Sequence, residues 1–347
     1  MTSSRSAWIV LSNFSLQVIL QQPCWENTDT DLKKSIIVSI WESRKPSTIE
    51  KYCLSLRKFF RYCQSNSIDL VLPLPSLQIA QYLETLKKSS TKSSIVNALT
   101  SLKWLYYFIP GLNSVNNPLN DTMLSKIVES SNRNNAKMKI RKKPLSSEII
   151  QGILKQLPKE PTLVQLRNCL IPVLAYALLL RHDETSHLNC SHLTVLDEGI
   201  KFFIPSSKTD TYREGKFVFL AKENRSLYDL LLRYFSVSNI SIGQNHFLFG
   251  PVAYDKSTKK FYIKNEKLSY DVFNKIVKEA VAQLGLNPSE FGTHSARSGG
   301  ASDLAPFISQ YHLMLSGRWS DPRSIGSYVE TPWSTRFEIS KILNINA

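Results

Sequence analysis

Between residues 31 and 130 the apolar positions recur at helical spacing. From Asp31 to Trp41 the pattern predicts a first helix. A second begins at Ser47, where Ser47-Thr48-Ile49-Glu50 has the spacing of a capping box directly after Pro46. Ile49, Tyr52, Leu56, Phe59, Phe60 and Cys63 then form one apolar face, while Lys51, Arg57, Lys58 and Arg61 fall off it. Further helices are predicted over 76–88, 92–109 and 118–130. The middle one turns Ile95, Leu99, Leu102, Leu105, Tyr106 and Ile109 inward, and Trp104, Tyr106 and Tyr107 read as core aromatics. These helices make a small all-helical bundle. Residues 1–30 show no clear period and fit either a flexible arm or a loosely packed first helix.

From Ser131 to Leu145 the pattern breaks. The run SNRNNAKMKIRKKPL holds six basic residues and no acidic ones, is aperiodic and is closed by Pro144, so it reads as a basic linker. Helical spacing resumes over 146–157, with Ser146 as cap, and over 162–180. The latter is apolar on nearly every face around Leu170–Leu180, the mark of a helix inside a core. It ends in LLLRHDETSHL, which leaves Arg181 and Glu184 at the end of a buried element, where a charge needs a partner or a ligand. GIKFFIP and KFVFLA, separated by SSKTDTYREG, predict a hairpin or small sheet with Lys208 in its loop. Helices follow over 226–235 and 269–284. In the latter Phe273, Ile276, Val277, Ala280 and Leu284 face inward, Ser269 caps the start and Gly285 ends it. The expected organisation is an arm (1–30), a helical domain (31–130), a basic linker (131–145) and a second domain (146–347).

Composition narrows the class. A length of 347 residues suits two domains, and 42% hydrophobic content is that of a globular protein. The formal net charge of +15 favours a polyanionic partner, most simply nucleic acid, although solubility alone also explains a basic balance. Cys24, Cys53, Cys63, Cys169 and Cys190 are odd in number, widely spaced and free of CxxC, as expected for reduced thiols inside a cell. The first residues make a poor signal peptide. The run Cys169 to Leu180 is too short for a bilayer and contains Pro172, so no membrane association is expected. His182, His187, His192, His246 and His312 show no ligand-spaced cluster, and HDETSH is not HExxH. With no P-loop and no GxGxxG, neither a metal nor a nucleotide cofactor is implied.

The segment from Gly292 to Tyr328 concentrates candidate chemistry. It reads GTHSARSGG and, further on, SGRWSDPRSIGSYVE, with His294 three residues ahead of Arg297 and Trp319 nine ahead of Tyr328. Taken singly, each residue has a plain structural reading. His294 could be a core histidine, Arg181 an ion-pair partner of Glu184, Trp319 and Tyr328 packing residues, and Lys208 a solvated loop residue. Their order and separations together resemble the tyrosine recombinase/integrase family over most of residues 31–347. The resemblance rests on R-x-x-E at Arg181–Glu184, the hairpin-loop Lys208, H-x-x-R at His294–Arg297, and Trp319 and Tyr328, with Trp where many members have His. The wording SSKTD and GTHSARSGGAS further resembles recombinases of eukaryotic mobile elements, the DIRS and Crypton groups.

That resemblance implies a mainly α fold with a small β-sheet: an N-terminal helical core-binding domain and an α+β catalytic domain that clamp double-stranded DNA. Two guanidinium forks, Arg181 and Arg297, suit the non-bridging phosphate oxygens. Tyr328 is then the nucleophile, and a phenol needs help to lose its proton at neutral pH. The resemblance implies Lys208 as general acid toward the leaving 5′ oxygen, a role typically contributing about 10²–10⁴-fold. His294 would contact the phosphate and take or relay the tyrosine proton. Trp319 can only donate its indole N–H to the phosphate. Glu184 would orient Arg181 or His294. Lys51, Lys58, Arg61, Lys139, Arg141, Lys142 and Lys143 are candidate backbone contacts. The small residues Ser298, Gly299, Gly300 and Ala301 would allow close helix packing below the phosphate. Phe337, Ile339, Ile342 and Leu343 predict a short C-terminal helix that docks on a neighbouring protomer or on its own domain. Self-association as a dimer on one site and a tetramer on two sites follows from the resemblance, as does nuclear location if the host is eukaryotic. Two other readings stand beside strand exchange: a DNA-binding module that no longer cuts, and a type IB topoisomerase-like enzyme.

Overall fold

The structure, a computed structural model, describes residues 18–134, 141–205 and 214–329. The chain divides into two compact units, Met1–Lys139 and Ile140–Ala347.

The first unit is helical, and its core gathers the inward faces of α1 (Thr30–Glu42), α2 (Pro46–Ser65), α3 (Ser76–Ser89), α4 (Lys92–Tyr106) and α5 (Thr122–Asn134). Asp29 starts α1 by accepting the N–H groups of Asp31 and Leu32. The capping box expected at Ser47–Glu50 does not form: Pro46 is the first helical residue and Lys45 the cap, with no side-chain cap bond. Proline suits that first position because its preset φ fits the helix and its missing N–H leaves one fewer donor to satisfy. The apolar face of α2 is buried as predicted except for Tyr52, which is half-buried against Trp104 at 5.4 Å between ring centroids.

The helix expected over 92–109 stops at Tyr106. Phe108 and Ile109 are still buried, but Tyr107 is 58% exposed, contrary to its reading as a core aromatic. Past Tyr106 the N–H groups of Phe108 and Ile109 donate to carbonyls three residues back, a tighter turn than that of the α-helix. At 118–130 a 3-10 turn, Pro118–Asn120, precedes α5, which runs to Asn134 and so passes the expected linker start at Ser131. The ambiguous residues before Asp31 are packed where described. Ile19 and Trp25 are buried, and the Trp25 indole N–H donates to the Phe108 carbonyl at 3.0 Å.

The second unit is built on α6 (Ser147–Lys155) and α7 (Leu163–Ala177). Thr162 and Gln165 cap α7 reciprocally, and the helix is buried almost all round, as its unbroken apolar run requires. A short helix, α8 (His182–Ser186), follows. β1 (Leu193–Leu196), β2 (Gly199–Ile204) and β3 (Lys216–Ala221) then form an antiparallel sheet in that order, with Phe202 opposite Val218. β2 and β3 are the predicted hairpin arms.

α9 (Arg225–Ser238) is followed by a second hairpin, β4 (Val252–Asp255) and β5 (Lys260–Ile263). The apolar pattern missed β1 and this hairpin, because β1 buries only Leu193 and β4–β5 only Ile263. α10 (Tyr270–Ala282) has the predicted cap, with Ser269 Oγ accepting the Val272 N–H, and Gly285 beyond it has φ +75°. α11 (Ser295–Leu304), α12 (Gln310–Gly317) and a 3-10 turn, Pro322–Ser327, lead to Tyr328.

α11 lies against α7 and α6, and the Leu145 N–H donates to the Ser295 carbonyl at 2.9 Å. A Cβ at Gly300 would stand 2.2 Å from the Tyr176 carbonyl oxygen, and one at Gly299 only 1.8 Å from that of Leu145. The small-residue run therefore permits the backbone approach that brings His294 and Arg297 to the end of α7. Among the described residues no helix is long and apolar enough to cross a membrane. Cys24, Cys53, Cys63, Cys169 and Cys190 are all free thiols.

Candidate active site

Four pieces of chain meet where α7 ends. Arg181 and Glu184 come from the start of α8, and His294 and Arg297 from the start of α11. Arg318 and Trp319 follow α12, and Tyr328 closes the last 3-10 turn. Lys208 and Lys139 lie outside the described residues, as does the predicted C-terminal helix.

Glu184 is the anionic centre of this meeting. Its Oε1 accepts from Arg181 Nη1 at 2.7 Å, and its Oε2 accepts from the Arg181 backbone N–H at 2.9 Å and from Arg318 Nη2 at 2.7 Å. Arg297 Nη1 lies 3.7 Å from the same Oε2. Of the two partners expected for Glu184, the structure shows Arg181; Arg297 and Arg318 join it. Burial alone would raise the Glu184 carboxyl, but Arg318, Arg297 and Arg181, with the Arg181 N–H, outweigh it and hold the carboxyl below its ordinary value.

Arg297 is wholly buried. Its Nη1 donates to the Leu179 carbonyl and its Nη2 to the Gly317 carbonyl. Trp319 covers one side of the guanidinium, 4.5 Å from Cζ to ring centroid, and Tyr328 also stacks on it at 5.1 Å. The two rings are 5.2 Å apart, and His294 stands edge-on to Tyr328 at 6.2 Å. Trp319 can reach this position because Gly317 has no side chain; a Cβ there would meet the indole at 2.0 Å. Ser298 Oγ donates to the Tyr328 carbonyl at 2.5 Å and Ser302 Oγ at 3.4 Å, fixing the end of the segment.

Three guanidinium groups thus face one carboxylate in a nearly dry setting. Burial lowers the Arg297 pKa, Arg181's charge lowers it further, and Glu184 opposes both. Two N–H donors in stacked groups, Arg297 Nε and Trp319 Nε1, are buried without an acceptor among the described residues. A surplus of buried positive charge beside unpaired donors is an environment that favours an anion. Among the described residues no cluster of His, Cys, Asp and Glu is placed to hold a metal.

The other basic candidates fall into two groups. Lys51, Lys58 and Arg61 are exposed on α2 in the first unit. Arg141, Lys142 and Lys143 are tied to the second unit. Arg141 Nη1 donates to the Gly326 carbonyl at 3.2 Å, Lys142 Nζ to that of Ser289, and Lys143 pairs with Glu290 at 2.8 Å. Sequence reasoning missed Arg318. Its place beside Trp319 in SGRWS was the only signal, and nothing in that string announces a buried cation.

The chain is similar to known proteins in sequence and in fold. The chain is 23% identical over 293 residues to an integrase/recombinase xerD homolog of Selenomonas ruminantium, covering 83% of each chain. The chain is therefore similar in sequence to a member of the tyrosine recombinase/integrase family. Its fold is similar to that of the site-specific recombinase XerH bound to a palindromic difH substrate in a post-cleavage complex. That match has a TM-score of 0.59 at 14% identity and covers 97% of this chain and 96% of the other. A lambda integrase dimer bound to a COC′ core site matches at TM-score 0.55 and 16% identity, over 86% and 95% of the two chains. No family model matches. As in the sequence-based expectation, the fold is mainly helical with small antiparallel sheets.

Proposed function

We propose that this protein is a site-specific DNA recombinase that cuts and rejoins strands through Tyr328. The observation that carries this reading is the pair of unpaired buried donors, Arg297 Nε and Trp319 Nε1, stacked beside the Tyr328 ring. A phosphodiester supplies the anion these donors lack, and the tyrosine is the nucleophile at its edge.

The Tyr328 Oη–phosphorus bond forms as the bond from phosphorus to the 5′ oxygen breaks. A 3′-phosphotyrosine and a free 5′-hydroxyl result. His294 takes the phenolic proton and Lys208 gives one to the departing oxygen. Arg181 and Arg297 neutralise the non-bridging oxygens, and Trp319 adds one hydrogen bond. Attack by a partner strand's 5′-hydroxyl reverses the step, so the bond energy is kept and no cofactor enters. Because the Tyr328 ring lies over the Arg297 guanidinium, that ring swings aside to admit the phosphate while Trp319 stays in place.

In this reading the helical unit is the core-binding domain and the second unit the catalytic one. Lys51, Lys58, Arg61 and the basic run Lys139–Lys143 contact the DNA backbone. Two protomers occupy one site and four complete exchange between two, with the C-terminal segment docking on a neighbour. The wording SSKTD and GTHSARSGGAS supports a mobile-element recombinase of the eukaryotic DIRS/Crypton type, acting in the nucleus.

The test uses nicked duplexes drawn from a randomised-sequence pool, incubated with the protein and run on a denaturing gel. A covalent adduct lost in Tyr328→Phe, with binding kept, supports the proposal. Binding by wild type without any adduct points to a module that only holds DNA. Relaxation of supercoiled DNA without exchange of strands points to a topoisomerase.

A further inference from the structure

We infer that Arg318 is a positioning residue that locks the Glu184 carboxylate and the Trp319–Tyr328 segment to the end of α7, and so holds Arg181 in place for the phosphate. This rests on the function proposed above.

Arg318 makes no use of solvent. Its side chain is 2% exposed, and its donors point inward. Nη2 donates to Glu184 Oε2 and to the Leu179 carbonyl, each at 2.7 Å. Nη1 donates to the Ser316 carbonyl at 2.9 Å and to that of Leu178 at 3.3 Å. One guanidinium therefore ties three segments: the end of α7, the first turn of α8 and the C-terminus of α12. Only a planar fork of donors reaches acceptors in such different directions; a lysine ammonium does not.

The backbone is bent to put it there. Arg318 has φ +55° and Leu179, whose carbonyl it holds, has φ +48°. Left-handed backbone is disfavoured for residues with a Cβ and persists where surrounding contacts impose it. Glycine is the natural occupant of the Arg318 position, since it ends α12 in the left-handed conformation. An arginine there gives up local backbone preference, and what it gains is the buried network.

The connection to chemistry runs through Glu184. Its two oxygens are shared between Arg318 and Arg181. With Arg318 absent, Oε2 keeps only the Arg181 backbone N–H as hydrogen-bond donor, and the carboxylate is braced from the Arg181 side alone. Arg181 then loses a fixed partner, and Trp319 loses the anchor of its neighbouring residue. Arg318 does not touch the phosphate, so DNA affinity is largely independent of it.

The informative variant is Arg318→Gly, because it removes the guanidinium while relieving the backbone. Cleavage of saturating nicked duplex should fall by about 10²-fold, the scale of a catalytic group misplaced by about an ångström. The Kd for the duplex should stay within about threefold, a free-energy change of well under 1 kcal/mol. Arg318→Lys should fail to restore cleavage. Combined with Glu184→Gln, Arg318→Gly should cost no more than the worse single change, since both act on Arg181 by one route. Nitrogen-15 NMR of the arginine side chains gives a readout independent of cleavage: the Arg181 Nε–H should become more mobile in Arg318→Gly.

Wild-type cleavage in Arg318→Gly, equal losses in affinity and rate, or additive losses in the double variant would each overturn the positioning role. If wild type forms no adduct at all, the proposed function fails. The Arg181 mobility then decides Arg318 by itself, and an unchanged signal refutes it.

Discussion

Arg297 and Trp319 are stacked, with the guanidinium carbon 4.5 Å from the indole centroid, and each presents a buried N–H that has no acceptor among the described residues. Cation and ring attract one another in this arrangement. The unpaired donors are a liability that a phosphate oxygen would remove if the proposed function holds.

Trp319→Phe keeps the ring over Arg297 and deletes only the N–H. Cleavage should drop by about 10–100-fold, the worth of one hydrogen bond to a charged group, about 1.5–3 kcal/mol. Thermal stability should hold or rise slightly, because a buried unpaired donor is gone. Single-turnover cleavage and a melting curve together check this. A parallel loss of stability would mean that the indole N–H is a structural bond after all.

Glu184 makes the second unit acid-sensitive. Its folded carboxyl titrates below the unfolded value of about 4.3. The stability it contributes is fully present above that unfolded value and is lost as pH falls through the folded one. Melting temperature should therefore decline below about pH 4, and Glu184→Gln should lessen that decline. At neutral pH the same variant leaves three guanidinium groups without their counter-charge and should cost about 3–5 kcal/mol. Urea unfolding at pH 7 and a melting series from pH 6 to pH 3 measure the two effects.

Glycines in two helices should respond in opposite ways to alanine. Gly299→Ala places a Cβ 1.8 Å from the Leu145 carbonyl oxygen, a backbone atom that cannot step aside alone. Overpacking of this kind typically costs about 1–3 kcal/mol, and more where backbone must move. Gly152→Ala meets only the Leu284 side-chain tip, at 2.9 Å, which can rotate away. The gain in helix propensity, about 1 kcal/mol, then makes it neutral to stabilising. Urea midpoints of the two variants should shift in opposite directions or differ plainly in size.

Duplex binding should weaken steeply with salt. Changing Lys51, Lys58 and Arg61 to Gln together should lower the slope of log K against log salt by about 2–3, given about 0.9 per neutralised phosphate. An unchanged slope would remove the exposed side of α2 from the DNA contact set.

Much of the local structure was legible in the sequence because the chain repeats its apolar residues at helical spacing. The faces of α2, α4 and α10 could be read residue by residue, since burial on one side of a helix dictates that repeat. The Ser47 cap was misread because Pro46, directly before it, begins the helix. β1 and the β4–β5 hairpin left no trace because each buries a single residue and presents the rest to solvent.

At the candidate site, the linear order of Arg181, Glu184, His294, Arg297, Trp319 and Tyr328 was enough to name the residues and their family resemblance, because side-chain chemistry and spacing are properties of the string. Only the tertiary structure decided which of them touch. It set Glu184 between Arg181 and Arg318, the latter 134 residues from Glu184, and laid Trp319 and Tyr328 across Arg297. Those relations depend on α11 approaching α7 at its glycines and on the left-handed turns at Leu179 and Arg318. A guanidinium becomes a buried fastener or a phosphate ligand according to the carbonyls and carboxylates around it, and those neighbours come from distant parts of the chain.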